Sequence, residues 1–490
     1  MSGLFVPRRV RWVLLVAAAG LLIASCGSSS PATSPLDTAL SYFPKDSPFV
    51  MSIATDPNSP AIKSEEALTG RLPLATFGQA ALTTELARLG INYDTNLRPL
   101  FGNPLLLGLA TTTATGAKNQ LLAAWVTKDA GTLADLIQKL KLQSVGSRDG
   151  ATLYQASTIA LAVSGSTVVA GSSANALKTA LDLHARGGGM SASDYNRETA
   201  GLPQNPLVAA FGYLGGVLST PSAASARRIP WVAALRGYGI AISTRKSGLT
   251  FQYRLDTSGR PLSSSELPIA AGTSPPGLAG TLPILAGIRE PATTLAFLLN
   301  AERLSSPAKY AADIARIDTV RRKTGVALNR DVIAQLGNNA AVQSDGHAYM
   351  VRVDVKKPDA AAQTLRRLGT SALDLFGTHP GASVTLGPDG FETVHRAGKA
   401  SVLFGLVGNE FVAGTATPAQ LRSFASLPAP AATGSPGAVA FKVALPQLVR
   451  LALKHPSKTV QLLLSMTGDI TGWLSASTNA FAGSATLALK

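Results

Sequence analysis

Apolar and polar residues alternate with period two along several short stretches of this chain. From Tyr349 to Val355 the valines at 351, 353 and 355 fall on one side and Arg352 and Asp354 on the other. That pattern predicts a half-buried strand with the valines inward. Ile159, Leu161 and Val163 alternate likewise and run through Gly165-Ser166 into Thr167–Ala170, which predicts a hairpin; Gly408-Asn409 marks a similar turn further on. Asp149-Gly150 and Asp389-Gly390 each sit between apolar runs, and Asp-Gly accepts the positive φ that a type I′ hairpin turn requires. Elsewhere the period lengthens to that of a helix. Ser306-Pro307 supplies an N-cap and a proline at the first helical position ahead of Ile314, Ile317 and Val320, and Gly325 closes the helix. Leu82, Leu86 and Leu89 line one face of another helix, closed by Gly90. Strand pairs on tight turns with helices between them predict an α+β fold, an antiparallel sheet with helices packed on one face.

The pattern also repeats. Gly90 and Gly102 stand at the same spacing as Gly325 and Gly337, with matching apolar residues between them. Trp125–Leu140 and Val353–Leu368 each read as a short strand, a polar turn and an amphipathic helix. Next come Asp149-Gly150 and Asp389-Gly390, then Gly165 before Ala170-Gly171 and Gly408 before Ala413-Gly414, then Ala210-Phe211 and Ala440-Phe441. Five segments in one order predict two tandem copies of one unit, at 37–256 and 283–490. The Ser/Gly/Pro-rich stretch 257–282, with Pro275-Pro276-Gly277, reads as the linker.

Composition adds the setting. Of 490 residues 46% are hydrophobic and only 15% charged, which excludes a disordered chain. The single cysteine excludes an internal disulfide framework. That cysteine, Cys26, ends the sequence Leu22-Ile23-Ala24-Ser25-Cys26, which resembles a bacterial lipobox. It follows the positive Arg8, Arg9 and Arg11 and the apolar run Trp12–Ile23. Residues 1–25 therefore read as a lipoprotein signal peptide, Cys26 as the lipid attachment site, and 26–36 as a flexible tether. The expected location is the extracytoplasmic face of the cell membrane, held by an acyl anchor on Cys26.

The formal charge is +16, and without the three signal arginines +13. Outside the cytoplasm that excess suits anionic lipid headgroups or an acidic wall polymer, with a protein partner also open. Nucleic acid is excluded on location. The doublets Arg227-Arg228, Arg321-Arg322 and Arg366-Arg367 also lack interleaved aromatics and read as solvated helix faces.

Two segments carry a family likeness. Phe43-Pro44-Lys45-Asp46-Ser47 is followed by an apolar strand and Asp56-Pro57. Tyr195–Tyr213 runs from a short helix through Leu202-Pro203 into an apolar strand ending in an aromatic residue. In these the chain resembles an uncharacterised family of actinobacterial envelope lipoproteins, a domain-of-unknown-function family. The resemblance spans most of the mature chain. It implies an extracytoplasmic, membrane-attached α+β protein and brings no catalytic residues with it.

No constellation for chemistry emerges. His184, His347, His379, His395 and His455 are scattered without an i, i+4 pair, so neither a metal nor a cofactor is expected. Gly237-Tyr238-Gly239 lacks the third glycine of a nucleotide loop and leads into the strand-like Ile240–Ser243. Ser306-Pro307-Ala308-Lys309, Ser173-Ala174-Asn175 and Lys246-Ser247-Gly248 match the three motifs of a penicillin-binding enzyme, but in the wrong order and spread over both copies. Ser306 already has a place as a helix N-cap. Glu65-Glu66 points about 100° apart on a helix, unlike a glycosidase pair, and reads as a solvated face. The expectation is a non-enzymatic binding or scaffold module for lipid, envelope polymer or protein. The alternative is a cell-envelope hydrolase of Ser-x-x-Lys type at Ser306 and Lys309, assembled only in three dimensions.

Lipidation gives a direct test. A clickable fatty acid fed to cells should label the wild-type chain and leave Cys26→Ala unlabelled; equal labelling of both excludes Cys26 as the anchor.

Overall fold

The computed structural model describes residues 34–490 except 70–85, 87–89, 113–119, 157–158, 246, 372, 374–382, 388–389, 397, 429–436 and 454–456. Cys26, the signal segment and most of the tether lie outside the described residues, as do Leu82, Leu89, Lys246, His379, Asp389 and His455. The last tether residues are already structured: Ser34 caps helix α1 (Pro35–Leu40), accepting the Asp37 N–H. The chain divides into two compact units. The first holds residues up to Thr220 with Arg236–Leu255, and the second holds Pro221–Leu235 with Asp256–Lys490.

The strands of the first unit are β1 (Val50–Ile53), β2 (Leu105–Leu109), β3 (Leu121–Val126), β4 (Ser144–Arg148) and β5 (Ala151–Ala156), then β6 (Ile159–Ser164), β7 (Thr167–Gly171), β8 (Val208–Tyr213), β9 (Gly237–Arg245) and β10 (Gly248–Asp256). Their order across the sheet is β4-β5-β6-β7-β3-β2-β1-β8-β9-β10. The pairs from β4 to β9 are antiparallel. The β4–β5 turn is the expected one: Asp149 and Gly150 both have positive φ, +48° and +78°. Further helices are α2 (Pro60–Thr69), α3 (Ala130–Lys139), α4 (Ala174–Ala185) and α5 (Ala192–Glu198).

The second unit contains β11 (Ile284–Arg289), β12 (Leu336–Ser344), β13 (Tyr349–Val355), β14 (Ser383–Leu386) and β15 (Glu392–Arg396), then β16 (Lys399–Val407), β17 (Glu410–Gly414), β18 (Val439–Val443), β19 (Thr467–Ala476) and β20 (Ala480–Leu489). They lie antiparallel in the order β14-β15-β16-β17-β13-β12-β11-β18-β19-β20. Its longer helices are α6 (Pro291–Ser305), α7 (Pro307–Thr324), α8 (Pro358–Leu368), α9 (Pro418–Ser426), α10 (Leu445–Ala452) and α11 (Lys458–Met466). The fold is thus α+β with extensive antiparallel sheet.

Helices do not keep to one face. Residues opposite each other in register share a face. In the second unit Val412 and Met350 pack with Leu421 and Phe424 of α9. Phe404, Phe411 and Ala413 point the other way and pack with Leu365 of α8. In the first unit α4 packs on Leu122, Ala124 and Val169, while Thr244, of opposite parity to Ala241, donates to the Ala61 carbonyl of α2 at 2.8 Å. Strands covered on both sides need continuous apolar runs. β2 has one, with Leu105, Leu106 and Leu109 all buried.

The same constraint corrects the polar half of the reading of β13. Arg352, expected outward, is 6% exposed under α9. Its Nη1 donates to the carbonyls of Phe424 (3.1 Å) and Ala425 (3.2 Å) and to that of Leu427, with the guanidinium 5.4 Å over the Phe424 ring. A helix C-terminus leaves such carbonyls unpaired and carries partial negative charge, so a buried cation is satisfied there.

The expected linker is also corrected. Residues 257–282 belong to the second unit, where Leu262, Leu267, Ile269 and Ala270 form a core with Ala234, Ala438 and Ala476. The Thr257 N–H donates to the Asn479 carbonyl at 3.0 Å. Glycine and proline here shape a packed, irregular path whose apolar residues are the core of the segment. Leu267→Ala should therefore destabilise the protein by about 2–5 kcal/mol in denaturant unfolding; a loose linker would lose nothing measurable.

Candidate functional site

Three adjacent strands of the first unit place small residues side by side: Ser52 of β1 opposite Ala209 of β8, and Ala209 opposite Ala241 of β9. One step along the same face stand Val50 and Phe211, whose bulk is fully buried. The small Ser52–Ala209–Ala241 row is itself buried and lies at the base of a cleft. Helix α5 and the loop after it form the opposite wall. This wall is held by a capping box, in which Ser191 and Asp194 bond each other's backbone N–H, and by Asp37 accepting the Ala192 N–H at 2.6 Å. Tyr195 of α5 sits edge-on to Phe211 at 5.3 Å. The loop then turns back through Gly201 and Asn205, both at positive φ (+79° and +52°), before entering β8.

The result is a cleft of about 600 Å³, a size typical of small-molecule sites. Its rim includes Thr55, Asp56 and Ser59 from the end of β1 and Leu202-Pro203 from the loop. Thr55 is fixed, its Oγ1 donating to the Asn103 carbonyl at 2.6 Å and accepting the Gly102 N–H at 3.2 Å. Asp56 Oδ1 accepts the Asn58 N–H at 3.0 Å. Asp56 is the only carboxylate in the lining, and no Lys, Arg or His lines it among the described residues. Burial raises the Tyr195 hydroxyl above its ordinary pKa. The hydroxyls of Ser52, Thr55, Ser59 and Thr199 thus have no basic partner in the cleft. The lining suits binding through hydrogen bonds and apolar contact.

The two sequence segments that carry the family likeness meet here. Strand β1, after Phe43–Ser47, pairs along its length with β8, the end of Tyr195–Tyr213. Ser47 Oγ donates to the carbonyls of Phe49 and Leu109, and the Phe43 carbonyl accepts the Met190 N–H at 2.9 Å. Gly108 leaves room for Phe43; a Cβ there would meet the Phe49 carbonyl at 2.7 Å.

The residues singled out for chemistry lie elsewhere. Ser306 and Lys309 are exposed, at the joint of α6 and α7. Ser306 makes no side-chain cap bond, contrary to expectation, and Lys309 pairs with Glu302 and Asp313. Ser173 caps α4 by accepting the Ala176 N–H, and Ser247 is exposed on the turn into β10. His184 stacks on Tyr42 at 4.3 Å and bonds Ser41 at 2.6 Å. His395 lies between Thr385 and Ser401, and His347 is exposed in a turn. Gly237-Tyr238-Gly239 begins β9 as expected. Glu65 is not solvated: it is 5% exposed, and burial followed by the charge of Glu66 pushes its carboxyl up to about 7.

A polar row that sequence reading missed crosses four strands of the second unit. Arg289 Nη1 donates to Asn339 Oδ1 at 2.6 Å, and Asn339 Nδ2 donates to Asp354 Oδ2 at 2.7 Å. Asp354 lies opposite Glu410. Burial and then the Asp354 charge push Glu410 up to about 7, against the opposing pull of Arg352. Glu410 therefore keeps its proton up to about pH 7.

With these sites described, the chain can be set against known proteins. No protein-family model matches it, and no curated protein does. Among solved structures it is similar to crystal form III of TP0453, with TM-score 0.25 and 8% identity over 47% of this chain and 83% of that one. Crystal form I of TP0453 gives TM-score 0.27 and 10% identity over 47% and 82%.

The raised carboxyls fix a pH dependence. Glu65 and Glu410 hold protons in the folded state between their unfolded value near 4.5 and about 7, where the unfolded chain has released them. Folding is therefore favoured at acidic pH, and this contribution is lost as pH rises through 7. The thermal midpoint should fall between pH 5 and pH 8, and Glu65→Gln or Glu410→Gln should each shrink that fall by a few degrees (about).

Proposed function

We propose that this chain is a lipoprotein anchored through Cys26 at the extracytoplasmic face of the membrane, and that its body is a non-enzymatic binding module. The observation that carries the binding reading is the cleft: about 600 Å³ floored by Ser52, Ala209 and Ala241, with Asp56 as its one carboxylate. Such a lining favours a compact ligand that is uncharged, or that turns a cationic group toward Asp56. An anionic ligand finds no cation in the lining. The anchor reading is supported by the lipobox around the only thiol in the chain. The excess positive charge adds attraction to acidic headgroups or wall polymer.

The body is further read as two tandem copies of one unit. In support, the first unit runs β4-β5-β6-β7-β3-β2-β1-β8-β9-β10 and the second repeats that order with each number raised by ten. The glycine turn at Gly165 (φ +55°) has its counterpart at Gly408 (φ +61°). The copies have diverged in the core: Ala124 of β3 and Arg352 of β13 occupy equivalent register positions.

The test is native mass spectrometry of the chain purified from its own membranes, as wild type and as Ala54→Leu, which narrows the cleft from a partly exposed lining position. Wild type should carry a small-molecule adduct that Ala54→Leu lacks while its thermal midpoint stays close to wild type. A wild-type chain free of adduct, or an adduct that survives in Ala54→Leu, overturns the cleft as the binding site.

A further inference from the structure

We propose that helices α10 and α11 of the second unit form a docking surface that rests on an anionic lipid bilayer. The inference deepens the membrane-anchored reading, on which it rests, by naming the part of the body that touches the membrane.

The two helices contact one another, and both pack on β19. Their inward residues are accounted for: Leu448 and Val449 of α10 are half-buried and Leu464 of α11 is buried. Leucines remain on the outside as well. Leu451 is 51% exposed and Leu462 42%, and Leu453, just past α10, is 45% exposed. A surface helix ordinarily keeps its outer face polar. Three half-exposed leucines within twelve residues of one helical pair leave apolar surface on both sides, one side covered by the sheet and the other by nothing among the described residues.

Charge identifies the cover. No Asp or Glu occurs between Glu410 and Asp469, so both helices are free of carboxylates, while Arg450 is exposed beside Leu451 and Lys458 opens α11. Leucine with Arg or Lys and no acid is the composition of a helix that lies in a bilayer interface, its apolar side chains among the acyl chains and its cations at the headgroups. A protein partner would have no need of the one-signed charge, whereas an acidic lipid surface uses both features.

The test places a polarity-sensitive dye on the full chain. Cys26→Ala removes the only native thiol, so Leu451→Cys or Leu462→Cys in that background is labelled at one position, and the result does not depend on lipidation. Val145→Cys, on the exposed strand β4, is the control. With phosphatidylglycerol vesicles at low salt, dye at 451 and 462 should shift to the blue and be quenched by brominated acyl chains several-fold more than at 145. High salt or phosphatidylcholine should weaken the effect. Arg450→Glu with Lys458→Glu, checked for an unchanged thermal midpoint, should abolish it. Vesicle-bound chain whose dye at 451 and 462 stays in water overturns the proposal. So does a blue shift produced by acidic wall polymer without lipid, by the chain's own self-association, or undiminished in the charge-reversed variant. Failure of fatty-acid labelling at Cys26 with the dye shift intact would sink the anchor alone.

Discussion

The central antiparallel strands of each unit are buried on both faces, and most of the protein's other features follow from that constraint. A sheet covered on one side can alternate apolar with polar residues, but a sheet between two helical layers has no solvent side for a charge. Strand β2 meets the demand with consecutive leucines at 105, 106 and 107. Strand β13 cannot, because it carries Arg352 and Asp354 on the face that α9 covers. Each is satisfied by a partner that only the assembled unit supplies: the carbonyls ending α9 for Arg352, and Asn339 for Asp354. A buried charge costs several kcal/mol unless such partners are present (roughly).

The cleft in the first unit is the exception that the constraint permits. Wherever Val50, Leu106 or Phe211 meets the covering helices, the space between layers is filled. Beyond the buried row of Ser52, Ala209 and Ala241, a cleft opens between the end of β1 and the loop after α5. The ladder pairing of β1, β8 and β9 holds the base of the cleft in place.

Several features were legible in the chain itself. Asp149-Gly150 fixes its hairpin turn and Gly325 ends α7 at φ +71°, because these conformations depend on local backbone sterics. The strand–turn–helix of Trp125–Leu140 and of Val353–Leu368 follows from apolar periodicity and is found where expected. Alternation along β13 marks the strand and its valine face, but not that the Arg352 face is covered as well, since period two says that two faces differ and not that a helix covers both. The Ser306 hydroxyl was assigned to a cap from residue type alone, whereas the preceding helix α6 runs directly into that position.

By itself the sequence determined the elements, their turns and the α+β class, because all of these are set by residues near one another along the chain. Tertiary structure decided what depends on residues far apart. It put helices on both faces of each sheet, drew 257–282 into a core through Leu262, Leu267 and Ile269, and brought Asp354 against Glu410. It also aligned Ser52, Ala209 and Ala241 across three strands. Small residues are unremarkable one at a time in a strand. Only strand pairing at long separation makes them neighbours, at the base of the cleft.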